Sequence, residues 1–129
     1  MEKELLNTFD KELLLKDICA RLPYGVKIQV PYEDGSGYFA ETVWEVNNDG
    51  PFHVNGWGIE YEYVKPYLFP LSSMTEEQKK EYQYITERWM YDSSYSISDS
   101  TDWLNKNHFD YRGLIKKGLA IDATGLNIY

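Results

Sequence analysis

The sequence predicts an α+β domain, and three observations carry that reading. Apolar residues recur at helical spacing between Asp10 and Leu22, switch to a period of two after Val26, and return to helical spacing after Thr75. Short turn-forming tracts separate the period-two runs, which is the mark of an antiparallel meander. The length, 129 residues, suits one domain whose core needs neither a disulfide nor a structural metal.

The first element is a helix over residues 10–22. Leu14, Leu15, Ile18, Cys19 and Leu22 share one stripe, while Lys11, Glu12, Lys16 and Asp17 fall largely outside it. Thr8 or Asp10 supplies a cap, and Pro23 stops the helix. Strands occupy residues 25–64. Val26, Ile28 and Val30 alternate with Lys27 and Gln29, and the tract from Glu33 to Gly37 turns the chain. A second strand runs from Tyr38 to Val46, with Ala40, Thr42, Trp44 and Val46 on one face and Glu41 and Glu45 on the other. Turns at Asn47 to Gly50 and at Asn55-Gly56 bracket a short strand, Phe52 to Val54, and Trp57, Ile59, Tyr61 and Tyr63 alternate in a fourth. Strands this short form an open three- to four-stranded meander or curl into a small SH3-like barrel.

Residues 65–74, with two prolines, read as an extended connector. Residues 75–121 read as helical. Thr75 and Gln78 form a capping box, with Ser73 and Glu76 the alternative, and Tyr82, Ile85 and Trp89 share a face. The helix ends near Tyr91 or Asp92, and the serine-rich tract Ser93 to Ser100 is a loop. A short helix from Thr101 to Asn107 points Trp103 and Leu104 inward. Asp110 then caps a turn closed by Gly118, before a short strand at Leu119 to Ile121.

Composition narrows the functional classes. Thirteen Lys and Arg against 21 Asp and Glu leave a net charge of −8, which argues against general nucleic-acid binding. The imbalance is concentrated: residues 23–71 hold two basic and seven acidic side chains. The single cysteine, Cys19, reads as a core residue and allows no intrachain disulfide or multi-Cys zinc site. No apolar run approaches membrane-spanning length and no signal-peptide pattern opens the chain, so a soluble cytoplasmic protein is expected.

Each candidate site has a plainer alternative. His108 and Asp110 are the weak catalytic candidates, because a carboxylate-held imbidazole serves as a general base near neutral pH and would suit a small hydrolase. The plainer reading makes Asp110 a cap and His108 a loop residue, and no GxSxG elbow accompanies them. Only His53 and His108 are available as imidazole ligands and no metal-binding spacing occurs, so neither metal nor cofactor is implied. Glu41, Glu45, Glu60 and Glu62 form an acidic strand face, able to meet a basic partner or simply to keep the sheet soluble. Twelve Tyr, four Trp and five Phe exceed the needs of this core. Tyr24, Tyr32, Tyr67, Tyr95 and Tyr129 are expected at the surface, with Tyr67 a binding candidate. Trp44, Trp57, Trp89 and Trp103 are expected in the core, and Trp44 or Trp57 would be the platform of a carbohydrate-binding alternative.

Three stretches, LLLKDICARLPYGVK from Leu13, KPYLFPLSSMTEEQKKEY from Lys65 and DWLNKNHFDYRGLIKKGLAI from Asp102, carry a resemblance. Together they resemble a family of small proteins encoded in gut Bacteroidetes genomes, often among prophage or mobile-element genes. The resemblance implies a bacterial or phage accessory protein in the cytoplasm. The family has no assigned activity, so no site residue is carried over. The functional expectation is a non-catalytic protein-interaction module using the acidic strand face and exposed tyrosines.

Overall fold

The computed structural model describes residues 7–47, 52–54, 57–59, 64–88, 90–92, 94 and 96–129. Its elements run α1 (Thr8–Arg21), β1 (Lys27–Pro31), β2 (Tyr38–Thr42), β3 (Glu45–Val46), β4 (Phe52–Val54), β5 (Trp57–Ile59), β6 (Tyr67–Pro70), α2 (Glu76–Arg88), α3 (Ile97–Lys106), β7 (Phe109–Asp110) and β8 (Ile121–Asp122). The α+β class is as predicted, and the described strands do not close into a barrel.

Helix α1 starts at Thr8, two residues before the predicted start. Asn7, rather than Thr8 or Asp10, is the cap, its side chain accepting from the Asp10 N–H at 2.8 Å. Pro23 ends the helix through a 3₁₀ turn, Leu22–Tyr24, which Gly25 closes in the left-handed region at φ 71°. The buried face is Leu14, Asp17, Ile18 and Arg21, and Cys19 is exposed. The stripe is therefore rotated from the predicted one, and it carries a carboxylate and a guanidinium into the interior.

β1 and β2 form a two-stranded antiparallel hairpin with Val30 opposite Phe39 and Ile28 opposite Glu41. The predicted strand from Tyr38 to Val46 is broken after Thr42. The Val43 N–H still bonds Val26 across the hairpin, whereas the Trp44 N–H bonds His53, which starts the separate antiparallel sheet β3–β4–β5. The core side of the hairpin carries Ile28, Val30, Phe39 and Val43, so the parity expected for β2 is reversed. Trp44, expected in the core, is 70% exposed. Residues 48–50 of the turn expected at Asn47 to Gly50, the turn expected at Asn55-Gly56, and the extension of β5 through Glu60 to Tyr63 lie outside the described residues.

The predicted connector contains a strand. β6 is flanked by β7 and β8 in a three-stranded sheet, pairing parallel with both. Pro66 and Pro70 bracket the strand, where a missing N–H is tolerated. Parallel pairing requires a crossover, and α2 and α3 supply it between β6 and β7. The Thr75–Gln78 capping box is present in both directions, at 2.9 and 3.1 Å. Lys79 pairs with Glu76 at 3.2 Å on the exposed face of α2. α3 begins at Ile97, earlier than Thr101, because Ser96 and Asp99 form a second capping box. After α3 the chain is not helical. It makes β7, a run of turns and β8, with Gly118 left-handed at φ 77° as expected.

Three apolar clusters fill the described residues. Leu14 and Ile18 pack with Ile28, Val43 and Phe52 beneath the hairpin. Leu68, Leu114 and Leu119 form a second cluster around β6. Trp103, Leu104 and Phe109 form a third, with Phe69, Tyr82 and Ile85 against it. No helix among the described residues is long and apolar enough to cross a membrane.

Candidate functional site

His108 sits where α3 hands over to β7. Asn107 ends the helix, and His108 adopts a left-handed backbone, φ 61°, that turns the chain into the strand. Its carbonyl accepts from the Phe69 N–H at 2.8 Å, so the strained residue also docks β7 beside β6. The imidazole is buried and stacks on the Tyr129 ring, centroids 3.8 Å apart and planes within 10°. Burial, with Arg21 and Lys27 nearby, holds its pKa down at about 4, so the ring is neutral at pH 7. Its Nδ1 is buried without a hydrogen-bond partner.

Asp110 does not complete a catalytic pair. Its two carboxylate oxygens accept from the Leu114 and Ile115 N–H groups, each at 2.9 Å, which fixes the turn after β7. The imidazole therefore lacks the carboxylate that would orient it and raise its basicity. His108 does line a cavity of about 500 Å³, together with Phe69, Lys106, Thr124, Gly125 and Tyr129.

Tyr129 is 41% exposed, at the surface as expected, yet its phenol is engaged. The hydroxyl donates to the Tyr67 carbonyl at 2.8 Å and accepts from the Lys27 N–H at 2.9 Å. Burial pushes this phenol up to about 12. Tyr67 itself is only 7% exposed, so it leaves the set of binding candidates; membership of β6 places it inside. Tyr24 and Tyr32 are exposed as expected, and Tyr95 lies outside the described residues.

The acidic face is divided. Glu41 is half-buried on the core side of β2, opposite Ile28, whereas Glu45 is exposed on β3, opposite His53, in the other sheet. Glu60 and Glu62 lie outside the described residues, as does the side chain of Trp57. What the fold does assemble is an outer hairpin face. Tyr38, Ala40 and Thr42 alternate along it, with Tyr38 59% exposed, and Trp44, 70% exposed, follows two residues beyond the end of β2. Glu33 and Asp34 stand exposed at the hairpin turn. The hairpin's cation, Lys27, lies opposite Thr42 on this same face and donates to the Ile128 carbonyl at 3.0 Å.

Sequence reasoning missed this face because it placed Trp44 in the core. The available signal was Val43, an apolar residue of opposite parity beside it. Comparison with protein-family models, with curated proteins and with solved structures finds no match to this chain.

Proposed function

We propose that this chain is a non-catalytic protein-interaction module that meets its partner through the outer face of the β1–β2 hairpin. The observation that carries the reading is the exposure of two large rings at this hairpin, Trp44 at 70% and Tyr38 at 59%. A solvent-exposed tryptophan forgoes a large burial gain, and Trp and Tyr are the side chains most often found as energetic anchors of protein interfaces. Glu33, Asp34 and Glu45, all exposed within a few residues of these rings, favour a basic partner surface. The commitment of Asp110 to backbone N–H groups supports a non-catalytic reading over a hydrolase built on His108. The resemblance to mobile-element proteins makes a cytoplasmic accessory role the matching context.

The test is co-purification from a native-type host lysate with the wild-type chain and with a Tyr38→Ser/Trp44→Ser variant. A stoichiometric protein retained by the first and lost by the second, at equal melting temperature, is the expected result. Identical protein sets on both would refute the assignment of this face.

A further inference from the structure

We infer that the outer edge of β2 accepts a basic, extended segment of a partner protein as an added antiparallel or parallel strand. This deepens the interaction reading above and rests on it.

The hairpin register determines which backbone groups are free. Tyr32 donates to Gly37 and Val43 donates to Val26, so the hydrogen-bonded pairs on β2 are those at Phe39 and Glu41. The N–H and C=O groups of Tyr38, Ala40 and Thr42 consequently point away from β1. Among the described residues none of them has a partner. The opposite edge of the hairpin is different: Gln29 on β1 donates to the Lys65 carbonyl at 2.9 Å, and Ile28 bridges to Pro66. Among the described residues, only the β2 side is open.

Open edges are normally blunted by Lys, by Pro or by a covering segment. β2, YFAET, carries neither Lys nor Pro. Its central residue, Ala40, is small and half-buried, and exposed rings stand two residues before it at Tyr38 and four after it at Trp44. The charge identifies the occupant. From Lys27 to Val46 the chain holds Glu33, Asp34, Glu41 and Glu45 against Lys27 alone, and Lys27 is engaged with Ile128 and the Tyr129 ring. A strand bearing Lys or Arg would bring complementary charge to both ends of this edge. A second copy of this chain would bring the same carboxylates. Main-chain pairing would supply affinity and the flanking carboxylates and rings would supply selectivity, as in other recognition by strand addition.

The test uses the full chain, labelled with ¹⁵N, and three capped octapeptides: alternating Lys-Val, alternating Glu-Val, and Lys-Val methylated on every backbone nitrogen. The expected result is selective shifts and slowed hydrogen exchange at the Tyr38, Ala40 and Thr42 amides with the first peptide. Binding should be about tenfold or more weaker for the other two, and should weaken with salt. Ala40→Pro removes an outward N–H while leaving the β1 ladder intact, and should abolish binding. The methylated peptide makes the same comparison on the wild-type chain, whatever the variant's stability. Equal binding of the methylated peptide, or no perturbation of these three amides by any peptide, would overturn strand addition. In either case the co-purification experiment still decides the interaction reading independently. Protection of the same amides that rises with protein concentration alone would assign the edge to a second copy and overturn the basic occupant.

Discussion

Asp17→Asn is expected to destabilise the protein by about 3–5 kcal/mol, because it strands a buried guanidinium. Asp17 and Arg21 have fully buried side chains one helical turn apart. Asp17 accepts from Arg21 Nε at 2.9 Å and Nη2 at 3.1 Å, and from Arg112 Nη1 at 2.9 Å. Charge-assisted bonds of this kind are each worth about 1.5–3 kcal/mol when broken singly. Arg21 keeps its bond to the Phe109 carbonyl and its place over the Tyr111 ring, which limits the loss. Against a typical total stability of about 5–15 kcal/mol, the change is large. It corresponds to a fall in Tm of about 10–15 °C or more for a chain of this size. Urea unfolding at pH 7 should show a lower midpoint at unchanged slope. The combined Asp17→Leu/Arg21→Met variant should be less destabilised than the sum of its single changes, since removing both charges leaves neither stranded. A loss below about 1 kcal/mol for Asp17→Asn would refute the claim that this cluster is desolvated.

Other perturbations separate the remaining structural roles. The His108 imidazole should titrate near 4 by NMR, and a value near 6.5 would refute its burial. Because its folded pKa lies below the unfolded one, protonation favours unfolding. The stability it preserves is full above about pH 6.5 and is lost as the pH falls toward 4, so His108→Gln should flatten that part of the stability–pH curve. Ser96→Ala should cost about 1 kcal/mol in chemical unfolding by removing the α3 capping box, and no change would mean the cap is solvated. Trp44→Ser should alter stability by less than about 0.5 kcal/mol, whereas Trp103→Ala should cost about 3–5 kcal/mol; equal effects would contradict the opposite burial of the two rings.

Local signals were legible and non-local ones were not. The α1 stop at Pro23, the Thr75–Gln78 box and the β1–β2 turn all depend on residues within a few positions of one another, and all three are present. β6 was hidden because its partners lie about 40–55 positions downstream, while its own bracketing prolines imitate a connector. Asp17 looked like a solvent-facing charge until the fold brought Arg112 to it from 95 positions away. Ser96 was read as part of a loop, although Ser96 and Asp99 carry the same spacing as the capping box recognised at Thr75. For the candidate site, the spacing of His108 and Asp110 was visible, but the left-handed backbone at His108 was not. That conformation makes the two side chains serve different contacts, a ring stack and a capped turn.

The position of β6 has a consequence for how the molecule is assembled. During synthesis the β1–β2 hairpin closes a turn of a few residues and can form as soon as it emerges. β6 must wait for β7 and then β8, with the two crossover helices already made between them. The entropy of closing those long loops precedes any reward from pairing. Until then both edges of an apolar strand, Tyr67-Leu68-Phe69, stand open in a nascent chain whose N-terminal half has begun to fold. Ribosome release and strand capture are thus coupled, and slowed elongation through residues 71–108 would lengthen the interval in which this strand is open to misassembly.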